Sequence, residues 1–103
     1  MKNSVVNYAS VIRSKNSGPY EITFDIIFTS PAAFNLWKKK NIITPAKIAS
    51  LYGIGLKSIL KIIWFSPAHA VKITIKRPIP SGHAGERDIY GAQQHAPLLD
   101  LCL

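Results

Sequence analysis

The sequence of 103 residues has little cysteine, no long apolar run and a central part without acidic residues. Its single cysteine, Cys102, excludes an internal disulfide bond and a metal site built from several thiolates. The longest uninterrupted apolar run, residues 62–65, is far shorter than the ~18 residues that a membrane-spanning helix needs. We therefore expect neither a disulfide-stabilised scaffold nor a membrane protein.

The beginning of the chain does not resemble a secretory signal. Residues 1–12 carry one lysine, and asparagine and serine residues interrupt their apolar character. A lone thiol such as Cys102 also suits a reducing compartment. The sequence therefore predicts a cytoplasmic protein.

The shortage of acidic residues concentrates the positive charge in one part of the chain. The net charge is +8, and residues 38–77 carry nine lysines and arginines with no acidic residue. Such a block is compatible with a polyanionic partner. Nucleic acid is nevertheless a disfavoured partner, because the block has one arginine and because Trp37, Trp64 and Phe65 lie in apolar patterns typical of a core.

Length and composition indicate one domain that spans residues 1–103. With 48% hydrophobic residues the chain can build a core, and at ~100–200 residues per domain it has no room for a second. A multi-domain enzyme is excluded.

Two regions have the pattern of strands. Apolar and polar side chains alternate over residues 20–28, which predicts a strand with one buried face. Residues 5–13 are rich in β-branched side chains and favour another strand, and the polar residues 14–19 are interpreted as the turn between the two. The buried face predicted for the alternating strand consists of Ile22, Phe24, Ile26 and Phe28.

Two helices and a hairpin follow. A Ser-Pro pair at 30–31 and a Thr-Pro pair at 44–45 are typical helix starts, with ends expected at about Lys40 and at Gly53. Residues 59–65 and 71–75 predict a hairpin joined by a tight connection at 66–69. In its second strand we expect apolar side chains inward, with Lys72, Thr74 and Lys76 pointing outward.

This order of elements predicts an α+β fold. We expect a ferredoxin-like sandwich, with an antiparallel sheet of about four strands and two helices on one face. Residues 78–97 contain several prolines and glycines and are interpreted as a long polar loop, followed by a C-terminal tail at 98–103.

The first segment that could carry chemistry is the polar run at 13–19. Its cations, hydroxyls and amide could bind a carboxylate or phosphate, because guanidinium groups bind such anions bidentately and turns aim backbone N–H groups at one point. The alternative is a solvated hairpin turn whose charges serve solubility. The candidate ligand residues are Arg13, Ser14, Lys15, Asn16 and Gly18.

The second segment is the end of the predicted loop. Asp88 and His95 could form an acid–base pair, which would make them candidate catalytic residues of a small stand-alone enzyme. No nucleophile at a known spacing supports that reading, so enzymatic activity stays open. The interpretation we favour is a loop that completes a binding site or a subunit interface, with candidate residues Tyr90, Gln93, Gln94 and His95.

The sequence indicates no metal site and no cofactor. Its histidines and cysteine have irregular spacings that match no zinc-binding pattern. These residues are His69, His83, His95 and Cys102.

The sequences of both polar segments, at 13–19 and at the end of the predicted loop, resemble those of a family of small AtuA-related proteins, named after acyclic terpene utilisation. The similar stretches are residues 11–21, 23–28 and 88–99, so the resemblance covers nearly the whole chain. The resemblance implies an accessory subunit, because such proteins are typically encoded beside or joined to a larger AtuA-type protein.

The family carries no established activity, so the resemblance assigns no catalytic residue. The small ferredoxin-fold domain of AtuA-type proteins has an early turn with the sequence Arg-Ser-Gly-Asp-Lys-Gly. Arg13 and Ser14 match its first two residues, whereas residues 15–18 depart from the rest. The expected partners are a larger AtuA-type subunit, an anionic small molecule and, as a further option, a second copy of the chain.

Overall fold

The computed structural model describes residues 3–18, 20–76 and 96–103. Over these ranges the chain forms four strands, two α-helices and short 3-10 turns. The strands and helices are β1 (Ala9–Gly18), β2 (Glu21–Phe28), α1 (Pro31–Lys40), α2 (Pro45–Tyr52), β3 (Ile59–Phe65) and β4 (Ala70–Lys76).

The strands form one antiparallel sheet in the order β1-β2-β4-β3. β2 and β4 are therefore central, while β1 and β3 lie at the edges. Both helices belong to the connection between β2 and β3. The predicted α+β class is confirmed, and four antiparallel strands with two helices are consistent with a ferredoxin-like sandwich.

The core lies between the helices and one face of the sheet. The predicted inward face of β2 is confirmed, since Ile22, Phe24, Ile26 and Phe28 are all buried. The expectation that only one face is buried is wrong, because Thr23 and Asp25 on the other face are buried too. Phe28 joins an aromatic cluster, with ring centroids 6.2 Å from Phe34, 6.1 Å from Trp37 and 6.2 Å from Trp64. On the second helix, Tyr52 packs its ring 5.0 Å from that of Phe24, and burial raises the pKa of its phenol.

Both helices begin as their sequences predict. The Ser30 hydroxyl accepts a hydrogen bond of 3.1 Å from the Ala33 N–H, and the Thr44 hydroxyl accepts one of 3.2 Å from the Lys47 N–H. Each cap satisfies an N–H that has no partner inside its helix. α2 ends at Tyr52 and is capped by Gly53, whose φ of 63° lies in the left-handed region that glycine adopts without strain.

The hairpin of β3 and β4 is confirmed, but two of its side chains lie where the sequence does not predict. Phe65, expected in the core, is 53% exposed, because alternation along β3 turns it away from the helices. Thr74, expected to point into solvent, is buried. It lies on a central strand, where its hydroxyl hydrogen-bonds with that of Thr23 at 3.3 Å.

The first strand begins and ends later than its sequence predicts. Residues 5–7 form a 3-10 turn, and β1 starts at Ala9. Residues 14–18, interpreted as a turn, continue the strand because they pair with β2 as far as Gly18. Gly18 has a φ of 152°, which favours glycine, so the chain can reverse within the few residues before Glu21.

The end of the described chain completes the core. Residues 96–100 form a 3-10 turn, and Leu98 and Leu101 are fully buried together with Val5. The Val5 N–H donates a 2.9 Å hydrogen bond to the Leu101 carbonyl, and the Leu103 N–H donates one of 2.9 Å to the Asn3 carbonyl. The tail expected at 98–103 is therefore packed against the first residues of the fold, whereas residues 78–95 of the expected loop lie outside the described ranges.

Candidate functional site

One face of the sheet, here called the open face, lies opposite the two helices. Alternation and register place a mixed set of charged, hydroxylic and apolar side chains on it. The ring contacts of the helices are made with the other face, through Phe24, Phe28 and Trp64. The open face consists of Val11, Arg13, Lys15, Glu21, Thr23, Asp25, Ile27, Lys61, Ile63, Phe65, Ala70, Lys72, Thr74 and Lys76.

A groove of about 400 Å³ lies on the open face, and we take it as the candidate site. All four strands and the β3–β4 connection contribute to it. Its described lining consists of Arg13, Lys15, Asp25, Ile27, Ile63, Phe65, Ala68, Ala70 and Lys72.

The register separates the groove into a charged row and an apolar row. Arg13 pairs with Asp25 across β1 and β2, and Asp25 pairs in turn with Lys72 on β4. The neighbouring row contains Ile27, Ala70 and Phe65. A molecule lying across the groove would therefore contact charge on one side and apolar surface on the other.

Asp25 is the acidic member of the charged row. It is only 6% exposed, and its Oδ2 accepts a 3.2 Å hydrogen bond from Nε of Arg13, whose side chain is 59% exposed. The carboxylate thus holds one edge of an accessible guanidinium. Since Lys15 and Lys72 also line the groove, three cations face one carboxylate and the lining keeps a net positive charge.

Two hydroxyls lie beside the charged row. Thr23 and Thr74 are buried, and their Oγ1 atoms share a hydrogen bond of 3.3 Å. In the same row of the register, Lys15 lies on one side of this pair and Lys61 on the other. The open face therefore has a hydrogen-bonded polar layer where the other face has an apolar core.

The first predicted site segment is divided between the two faces. Arg13 and Lys15 line the groove, whereas Ser14 and Asn16 alternate to the helix side, with Ser14 buried opposite Phe24. Gly18 lies at the end of β1, away from the described lining. Because this segment is extended, its side chains do not converge on one point as they would in a turn.

Sequence reasoning did not identify most of the groove. Asp25, Ile63, Phe65 and Lys72 come from three different strands, and one sequence does not say which strands are neighbours. The alternation along β2 and β4 did place Asp25 and Lys72 on outward faces of their own strands. What was missing was the pairing that makes those two faces one surface.

The second predicted segment lies outside the described residues. Its candidate catalytic pair, Asp88 and His95, and its candidate ligand residues, Tyr90, Gln93 and Gln94, are all in the range 77–95. Their position relative to Arg13 and Lys15 stays a prediction.

The lysines of the central block do not form one surface. Lys61, Lys72 and Lys76 belong to the open face, but Lys38 lies on α1, in the layer on the other side of the sheet. A nucleic acid lying along the open face would not reach Lys38.

Over residues 3–18, 20–76 and 96–103, no three His, Cys, Asp or Glu side chains lie close enough together to hold a metal ion. None of the helices there has the length and apolar character needed to cross a membrane.

The comparison with known protein families gives one match. A family model described as Domain of unknown function (DUF4387) matches residues 5–102. No curated protein and no solved structure matches the chain. Since the family model covers nearly every described element, from the first 3-10 turn to the residues that pack against it, the chain belongs to the DUF4387 family.

Proposed function

We propose that this protein is an accessory binding subunit that holds an amphipathic anion in the groove of the open face and docks on a larger AtuA-type enzyme. One observation carries the proposal: Arg13, Lys15 and Lys72 line the same groove as the apolar side chains of Ile63 and Phe65. The described lining supplies charge and apolar surface, which are what a binding site for such a molecule requires.

The cations favour a carboxylate or phosphate group as the charged part of the ligand. Arg13 uses Nε for its contact with Asp25, so the terminal amino groups of the guanidinium are the part that a ligand would meet. Arginine binds carboxylates and phosphates through pairs of N–H groups, and lysine adds a point charge. Lys72 lies in the same row as this contact, and Lys15 lies in the adjacent row.

The apolar row favours a ligand with a hydrocarbon part. Phe65 in the apolar row is 53% exposed, and Ile63, which pairs with Lys72 at the end of the charged row, is 44% exposed, so both have apolar surface that a ligand would remove from water. Such burial contributes roughly 25 cal/mol per Å². A short hydrocarbon chain that ends in a carboxylate or phosphate fits both rows.

The accessory role is supported by the resemblance to AtuA-related proteins. A chain of 103 residues with its core on one side of the sheet exposes the other side as a broad surface. That surface is available both to a small molecule and to a larger subunit that closes over it.

Titration calorimetry with octanoate and with octyl phosphate tests the anion site. We expect both to bind, with octanol as an uncharged probe binding far more weakly. Lys72→Gln should weaken the binding of the anions about tenfold, the effect of removing one charge-assisted hydrogen bond. Lys47→Gln, an exposed lysine on α2, is the matched control and should change nothing.

Two results would overturn the proposal for the groove. One is no heat of binding for either anion with the wild-type chain, and the other is an equal loss of affinity in both lysine variants. Docking is tested separately, by co-purification of the tagged chain with an AtuA-type protein. A mixture that sediments as two separate species would overturn that part.

A further inference from the structure

The two edges of the sheet differ in a way that the anion site does not explain. The β1 edge is mostly polar, and its pairing with β2 is irregular at two places. The β3 edge is mostly apolar, with Leu60, Ile63 and Phe65 all exposed. Its single charged residue is Lys61. Natural proteins usually protect edge strands with charges and irregularities, and β3, with one charge and one register shift between Ile59 and Lys61, is less protected than β1.

Among the residues that the structure describes, no strand pairs with the outer side of β3, and its one partner strand is β4. Half of the N–H and C=O groups of an edge strand point away from its neighbour, and they form a ready template for another strand. An apolar edge with such a template is the surface on which an extended segment adds to a sheet.

Charge indicates which segment fits. The sequence has no acidic residue between Asp25 and Glu86, and among the described residues the charges on and beside β3 are those of Lys57, Lys61 and Lys72. A second copy of β3 would bring the same positive charges to the contact, and like charges across strands are destabilising. A segment with a carboxylate beside Lys61 would form an opposite-charge pair instead.

We propose that β3 takes up an extended segment of another protein as a fifth strand, and that this segment is mainly apolar with a carboxylate side chain beside Lys61. On the open face its side chains would lie next to Ile63 and Phe65. On the other face they would lie next to Ile62 and Trp64, which are half-buried. This interaction needs neither the anion in the groove nor a particular enzyme as the partner.

Trp64 provides the signal for a direct test. Its ring stacks against Phe28 and the residue is half-buried, whereas Trp37, the other tryptophan, is fully buried. Addition of a strand to β3 would cover Trp64 and shift its fluorescence to shorter wavelength. A Trp64→Phe variant should lose that shift while calorimetry still detects binding.

The probe is a blocked heptapeptide of alternating threonine and valine with glutamate at its centre, and its counterpart has lysine there. We expect the glutamate peptide to bind wild-type protein about two- to fivefold more tightly than the lysine peptide, as one exposed cross-strand charge pair allows. Lys61→Glu should invert the preference, and Lys61→Gln should abolish it. Lys47→Glu on α2 is the control and should keep the wild-type preference.

Backbone pairing is tested with two further peptides that are N-methylated at alternate residues, one on each edge of the peptide strand. The peptide with its bonding edge blocked should fail to bind, while the other should bind like the parent. Equal binding by both, or a preference that ignores the charge at position 61, would overturn the proposal.

Sedimentation of the protein without peptide tests whether a second copy of the chain, and not a segment of another protein, pairs with β3. We expect no self-association through β3. A dimer that Ile63→Lys dissociates would show that β3 pairs with a second copy, and the proposal of an acidic partner segment would then be wrong. These outcomes are independent of octanoate binding, so the proposal of an anion in the groove and the proposal of a fifth strand at β3 can be refuted separately.

Discussion

The two faces of the sheet carry different chemistry although the same four strands build both. The helix face buries a continuous apolar set around Phe24, Phe28 and Trp37. The open face carries a buried carboxylate, a pair of buried hydroxyls and several cations beside exposed apolar side chains. Stability is therefore expected to depend on one face and recognition on the other, because strand alternation lets adjacent residues serve separate purposes.

The test with the largest expected effect replaces one phenylalanine on each face of the sheet by alanine. Phe24→Ala on the helix face should lower the free energy of unfolding by about 3–5 kcal/mol, because it leaves a cavity in the core. Phe65→Ala on the open face should change it by less than about 1 kcal/mol, because the ring is already half in water. Urea denaturation measures both values. Equal losses would show that the open face is also part of the stabilising core.

The C-terminal residues extend the comparison beyond the strands. Leu101→Ala should cost about 2–5 kcal/mol of unfolding free energy, since Leu101 is fully buried. Leu99→Ala, an exposed leucine two residues earlier, should cost no more than about 0.5 kcal/mol. Thermal and urea unfolding of the two variants would check the pair. A small loss for Leu101→Ala would mean that residues 98–103 are not needed for the core.

The smallest effect concerns the hydroxyl pair of the open face. Thr74→Val should cost about 1–3 kcal/mol of unfolding free energy, because it removes the hydroxyl that hydrogen-bonds with the buried Thr23 hydroxyl at 3.3 Å. Thr23→Val combined with Thr74→Val should cost less than either single change, because no polar group then stays unpaired. A double-mutant cycle in urea measures the coupling. Additive losses would show that the two hydroxyls do not depend on each other.

The sequence predicted those elements whose signals are local. β2 alternates without interruption, and each helix begins with a hydroxyl cap followed by proline, so these elements follow from a few adjacent residues. The predictions from sequence were wrong where pairing between strands distant in sequence decides the local conformation or the burial of a side chain. Residues 14–18 have turn-forming side chains, but pairing with β2 keeps them extended. Phe65 is apolar, but its position in the alternation of β3 exposes it.

The candidate site was predicted only in part, for the same physical reason. Arg13 and Lys15 belong to one polar run and could be found from composition. Asp25 and Lys72 join them through register, which depends on the order of strands in the sheet. That order places the fourth strand between the second and the third, a choice that no local pattern expresses.

The packing of Leu98 and Leu101 beside Val5 also bears on how the protein is made. Val5 is translated before the sheet and the helices, whereas its two neighbours in the core are among the last of the residues described. Contacts between parts so distant in sequence form slowly, because a long stretch of chain must first be closed into a loop. The sheet and helices can assemble during synthesis, but the apolar surface around Val5 stays unprotected until residues 98–103 have emerged. Folding of this domain is therefore completed only after nearly all of it has been translated.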